Sequence, residues 1–186
     1  MQDLITLKEI KNVLKTRGIA VILMAFALPM AIPLPYPPGF TTILGIPIFL
    51  FSLQLLLNNK SPWFPRFIAN KSFKRKKLAN VIEIITPFFT KIEHITRPRL
   101  FMLVNDKAHR VVGFISLINS IFILLPLLFA NALPSLGIFL MSLGLFRRDG
   151  IMVIIGVIIS ILSWFVAMFV ICFGVNVASK FFFFLQ

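Results

Sequence analysis

The sequence predicts an all-α integral membrane protein: two Pro-broken helical hairpins, re-entrant or short, related as an internal repeat, with interfacial amphipathic helices and a C-terminal transmembrane helix. Three observations carry that reading. The 186 residues are 59% hydrophobic, with a mean hydropathy of +0.97, against the about 45–50% apolar usage of soluble domains. Five prolines, Pro29, Pro33, Pro35, Pro37 and Pro38, interrupt the first long apolar region, and each removes an N–H and clashes with the preceding turn of a helix. The basic residues are segregated from the apolar arms. Twelve of the 19 Lys and Arg lie between Lys60 and Arg110 and four between Lys8 and Arg17, the positive-inside pattern of cytoplasmic loops.

The formal charge of +13 also raises nucleic acid as a partner. Positive segments stapled to apolar spans fit anionic lipid headgroups better, so no nucleic-acid partner is expected. The single Cys172 excludes a disulfide within the chain and reads as packing in an apolar run.

Residues 1–17 read as an amphipathic N-terminal helix. Leu4, Leu7, Ile10, Val13 and Leu14 share one face and Lys8, Lys11, Lys15 and Arg17 lie elsewhere. Ala25-Phe26-Ala27 resembles a signal-cleavage site, but the apolar run before it is short for a signal peptide, and the segment is expected to stay in the mature protein. Residues 18–57 form the first broken hairpin, with apolar arms on either side of the prolines. Each arm is shorter than the about 20 helical residues that full spanning requires, so a tip buried in protein at membrane depth is one solution and a thinned bilayer another.

Residues 58–110 are a basic cytoplasmic or interfacial segment. It holds Lys71 to Lys77 (KSFKRKK) and then apolar residues at helical spacing from Leu78 to Ile95, an interfacial helix beside anionic lipid. Residues 111–146 repeat the first pattern: an arm to Pro126, a break at Asn131 and Pro134, and a second arm ending in Arg147-Arg148-Asp149-Gly150. IFLFSLQLLL (Ile48 to Leu57) lies over IFLMSLGLFR (Ile138 to Arg147) at a constant offset of 90, with six of ten residues identical. Residues 151–175 are a transmembrane helix in which Gly156 and Ser160 suit close helix contact. A returning third hairpin, with Gly174 and Asn176 as breakers, is the alternative. The whole chain, 1–186, is one membrane domain.

Residue types that carry chemistry are scarce. His94 and His109 stand apart from any cysteine or carboxylate cluster, and Glu83 and Glu93 lie ten residues apart on one amphipathic stretch, where pairing with nearby cations is the simpler role. No zinc, P-loop or nucleophile-elbow motif occurs, so no catalytic residue, metal or cofactor is expected. Asp149 is read as part of a helix-ending turn with Gly150 as the C-cap; an anionic-headgroup contact with Arg147 and Arg148 is the alternative. Gln54 inside the second arm, near Ser52 and Ser142 of the two halves, is read as hydrogen-bonding glue between helices, with substrate contact as its alternative. Interrupted helices in corresponding halves point to a midplane site, for which Pro33, Pro35, Pro37, Gln54, Asn131 and Pro134 are the candidates. Lys74, Arg75, Lys76, Lys77, Arg147 and Arg148 are the candidate anionic-lipid contacts.

The blocks ALPMAIPLPYPPGFTTILGIPIFLFSLQLLL, SPWFP, a basic segment closing in RPRL, and LLPLLFANALPSLGIFLMSLGLFRRDG together resemble the exopolysaccharide synthesis (ExoD-like) membrane proteins over roughly residues 10 to 175 of the chain. The resemblance implies a multi-pass protein of the bacterial inner membrane, basic loops cytoplasmic, linked to exopolysaccharide production. It carries over no catalytic residue. Asn58-Asn59 and the Phe-rich tail depart from the family pattern without threatening it. The expected function is a non-enzymatic component of exopolysaccharide or envelope biogenesis, transporter-like or scaffolding, with membrane lipids and the exopolysaccharide machinery as partners and a homo-oligomer allowed. A lipid or small-molecule flippase or channel is the alternative; a membrane enzyme acting on a lipid-linked sugar is the weakest.

Overall fold

The computed structural model describes residues 4–6, 18–33, 39–59, 61–63, 72–74, 100, 104–125 and 131–184, with side chains described from residue 18 to residue 173 of these. Among the described residues five helices carry the fold: α1 Gly18–Ala31, α2 Phe40–Leu56, α3 Asp106–Leu124, α4 Ala132–Arg147 and α5 Gly150–Phe184. A short antiparallel ladder pairs β1 Leu4–Thr6 with β2 Ser72–Lys74. Extended backbone therefore replaces helix over Leu4 to Thr6, because backbone pairing with Ser72–Lys74 competes with the amphipathic pattern. The rest of that expected helix lies outside the described residues, as does the expected interfacial helix from Leu78 to Ile95.

Both apolar regions fold as helix pairs around a break. Pro29 is accommodated in the last turn of α1 and Pro47 within α2. Gly39 sits before α2 at φ 86°, a conformation that glycine adopts without steric cost. Helix α3 starts earlier than hydropathy alone marks it. Asn105 accepts from the Ala108 N–H at 3.0 Å, an N-cap that draws the polar residues Asp106 to Arg110 into the helix. Pro134 does not break α4; it lies in the first turn, where a missing N–H costs nothing.

The far ends of α2 and α4 close alike. Asn58 and Arg148 both take left-handed backbone at φ 56°. The next residue then donates its N–H five residues back, Asn59 to the Gln54 carbonyl at 3.0 Å and Asp149 to the Gly144 carbonyl at 2.8 Å. Arg148, not Gly150, is thus the residue that ends α4, and Gly150 opens α5. The Asp149 carboxylate accepts from the Ile151 N–H at 3.0 Å and the Met152 N–H at 3.4 Å, capping α5. Gly174 and Asn176 do not break α5, which runs on to Phe184. No returning third hairpin forms over those residues.

Helices α2 and α3 run antiparallel, with Gly45 beside Ile123 and Leu124 and Gly113 beside Leu56, and so do α4 and α5, with Gly137 beside Gly156 and Ser160 and Gly144 beside Val153. Helix α1 packs along α4, α2 along α3, and α4 along α5, with smaller contacts within each hairpin and between α3 and α5. Small residues set these distances. A Cβ on Gly113 would meet the Leu56 backbone nitrogen at 2.3 Å, and one on Gly156 would meet the Met141 backbone at 2.6 Å. The Gly156–Ser160 pair is therefore spent inside the molecule, against α4. The core between the helices is aliphatic, centred on Ile19, Leu23, Met30, Ile48, Ile123, Ile138 and Met141.

The outward surface is also apolar. Helix α5 exposes Ile154, Ile158, Leu162, Phe165, Phe169 and Phe173, and α3 exposes Val111, Phe114 and Ile121, with Leu125 exposed just past its end. Water would not tolerate such continuous faces on a monomer. Two helices are long and apolar enough to cross a membrane, Asp106–Leu124 and Gly150–Phe173, while Gly18–Ala31, Phe40–Leu56 and Ala132–Arg147 are apolar but shorter. These are the features of a membrane protein. Cys172 stands exposed on α5, so the expectation of interior packing does not hold there.

Candidate functional site

Among the described residues the densest polar arrangement in the interior is built on Asn119, in the middle of α3. Its Nδ2 donates to the Ser160 hydroxyl of α5 at 2.8 Å and to the Pro134 carbonyl of α4 at 3.3 Å. Its Oδ1 accepts the Trp164 indole N–H at 2.7 Å. One fully buried amide thus ties three helices, using both of its ends. The Ser160 hydroxyl in turn donates to the Gly156 carbonyl at 2.8 Å, and Ser163 donates to the Ser160 carbonyl at 2.7 Å. Gly137 makes room for the node, since a Cβ there would lie 2.3 Å from the Ser160 hydroxyl oxygen. In an apolar surround such bonds are expensive to leave unmade. The node is neutral, and among the described residues no group of three His, Cys, Asp or Glu forms a metal site.

The expected midplane residues do not assemble into one site. Pro33 is exposed just beyond the end of α1, and Pro35 and Pro37 lie outside the described residues. Gln54 is buried near the end of α2 and bonds reciprocally to one backbone unit: its Nε2 donates to the Trp63 carbonyl at 3.1 Å and its Oε1 accepts the Trp63 N–H at 2.7 Å. It pins the turn after its own helix instead of bridging to another. Pro134 joins the Asn119 node through its carbonyl. Asn131 is buried before α4, and its Oδ1 has no hydrogen-bond partner; its side chain does not cap the helix. Of the expected lipid contacts, Lys74 falls on β2, Arg75, Lys76 and Lys77 lie outside the described residues, Arg147 is half-buried and Arg148 is exposed.

Buried serines divide into two groups. Ser120, Ser135, Ser160 and Ser163 donate to carbonyls one turn back on their own helices. Ser52, Ser116 and Ser142 are fully buried, and their hydroxyls have no partner. Ser52 shares a face of α2 with Gly45, seven residues away, and Ser116 shares a face of α3 with Gly113. Gly45 meets Ile123 and Leu124 while Gly113 meets Leu56, so the antiparallel register sets Ser52 level with Ser116.

Asn119 and Trp164 escape sequence reasoning because their partners are 15, 41 and 45 residues away. The available signal was a carboxamide alone in an apolar arm, a residue type that membrane interiors retain for interhelical bonding.

The chain is similar in sequence to known proteins. The family model described as exopolysaccharide synthesis, ExoD, matches residues 1–170. An uncharacterized protein of Synechocystis sp. is 27% identical over 159 residues, covering 85% of this chain and 74% of its own length. The protein named ExoD of Rhizobium meliloti is 31% identical over 153 residues, covering 80% of this chain and 63% of its own length. The chain thus spans just under two thirds of the Rhizobium protein. No solved structure matches it. The chain belongs to the exopolysaccharide synthesis ExoD family.

Proposed function

We propose that this protein is a non-enzymatic, multi-pass scaffold of the bacterial inner membrane that serves exopolysaccharide production, with its basic helix ends in the cytoplasm. Membership of the ExoD family supports the link to exopolysaccharide synthesis. The observation that carries the scaffolding role is the Asn119 node, a buried polar centre whose amide is satisfied by α4 and α5. A coupled pump places charge or open coordination at such a depth.

The two hairpins are read as copies of one repeat. Exchanging the halves turns the α1–α4 pairing into the α3–α2 pairing. It also maps Asn58 onto Arg148, and the bond from Asn59 to Gln54 onto the bond from Asp149 to Gly144. Helices α1, α2 and α4, of 14, 17 and 16 residues, are about 21, 26 and 24 Å long at the usual rise. The apolar core of a bilayer is about 30 Å thick. Short arms that enter and return, or cross a locally thinned bilayer, fit those lengths.

One observation favours a second reading, transport by rocking of the two halves. Ser52 and Ser142, equivalent under the offset of 90, both bury unsatisfied hydroxyls, as groups would that find partners only in another arrangement.

The test is to purify the protein from a polymer-producing strain and to reconstitute it alone. The scaffold co-purifies with polysaccharide-assembly enzymes and shows neither sugar transfer nor saccharide flux in liposomes. Flux by the purified protein would contradict it.

A further inference from the structure

The backbone of Trp63 is held at both ends while its ring is left outside. The Gln54 carboxamide, 8% exposed, donates to the Trp63 carbonyl at 3.1 Å and accepts its N–H at 2.7 Å. Pro62, immediately before, is fully buried. The Trp63 side chain is 58% exposed, and its indole N–H makes no hydrogen bond to the described residues. A buried amide thus spends both of its ends on fixing the backbone beneath one exposed aromatic ring.

The antiparallel register of α2 and α3 gives the level of that anchor. A Cβ on Gly113 would meet Leu55 and Leu56 of α2, so Gln54 stands level with Ile115, about 3 Å further along α3. Along α3 the exposed side chains change from Lys107 and Arg110 to Val111 and Phe114. That step lies about 7 Å from the level of Gln54, toward the start of α3. Helix α2 changes at the same end, from exposed Leu53 and Leu57 to exposed Asn59 in the turn. Two packed helices therefore mark one apolar-to-polar step, and Trp63 is fastened beside it, on the apolar side.

We propose that Trp63 anchors this end of the protein in the interfacial layer of the phospholipid bilayer. Its ring lies along the upper acyl chains and its indole N–H meets lipid ester or phosphate oxygens. Gln54 is the positioning residue that holds the ring at that depth. The assignment rests on the membrane placement proposed above. Tryptophan suits such a layer because it joins a flat apolar body to a single N–H donor, so one side is dry and the other wet. Fixing the backbone beforehand reduces the freedom lost when the ring enters the lipid.

Depth-dependent quenching tests it. Trp63 and Trp164 are the chain's two tryptophans, so W164F and W63F report each alone in the full chain, reconstituted into phosphatidylcholine vesicles. The lipid carries bromine either near the headgroup end of its acyl chains or near their tips. Trp164, near the middle of the Gly150–Phe173 stretch, is the deep reference. Trp63 emission should be quenched at least about twofold more by the shallow bromine than by the deep one, the reverse of Trp164. Adding Q54L to W164F should remove that preference at unchanged helix content by circular dichroism; an unchanged profile would deny Gln54 its role. The W164F profile decides the anchor whether or not Q54L folds. Trp63 quenched chiefly by the deep bromine, by aqueous iodide alone, or by neither, as beneath a partner protein, overturns it. If lipid quenches neither tryptophan, the membrane placement falls too, whereas deep quenching of Trp164 confines the failure to Trp63.

Discussion

Asn58 and Arg148, ninety residues apart in sequence, adopt the same left-handed backbone at φ 56° and close α2 and α4 with the same five-residue return bond. That conformation costs an L-residue about 1–2 kcal/mol, which glycine avoids. Asn58→Gly is therefore expected to stabilise the protein by up to about 1 kcal/mol, and Asn58→Val to destabilise it. Reversible unfolding in mixed detergent micelles reads both.

The Asn119 node makes the largest single prediction. Asn119→Ala strands the Trp164 indole N–H and leaves the Ser160 hydroxyl with only its bond to the Gly156 carbonyl. It should cost about 1–2 kcal/mol, the upper range for interhelical hydrogen bonds in membranes. Trp164→Phe loses one of the same bonds, and the two substitutions in a double-mutant cycle should couple by at least about 0.5 kcal/mol. Strict additivity would mean that the bond contributes nothing.

The apolar arms and the interruption between α1 and α2 were legible in the sequence, because each is a local pattern of hydropathy or missing N–H groups. The partners of polar residues were not. Gln54 looks like interhelical glue from its place in an apolar arm, yet the turn at Asn58 brings the chain back so that Trp63 takes both ends of its amide. Asn119 shows no local signature, since all its partners arrive from other helices. Asp149 changes role for a similar reason: the turn passes through Arg148, which leaves its carboxylate free to cap the next helix.

Capping makes that role measurable. Asp149→Ala should destabilise the protein by about 1 kcal/mol and Asp149→Asn by only a few tenths, because asparagine caps nearly as well. Equal losses in the two variants would point to the charge instead of the cap.

The two groups of serines should respond in opposite senses. Ser160→Ala removes a hydroxyl that holds Asn119 and should destabilise by about 1 kcal/mol. Ser52→Ala, Ser116→Ala and Ser142→Ala remove hydroxyls with no partner and should be neutral or stabilising. A loss at Ser52 or Ser142 as large as that at Ser160 would show that those hydroxyls are engaged.

The level placement of Ser52 and Ser116 across α2 and α3 provides the most direct test of a static scaffold. In a Cys172→Ala background, Ser52→Cys and Ser116→Cys can be joined in cells by a membrane-permeant thiol cross-linker while secreted polymer is measured. A scaffold keeps its output when the two helices are locked together, equal to that of the same cells without cross-linker. Loss of output on cross-linking, restored when the link is cleaved, would contradict the scaffold and establish that the halves must move.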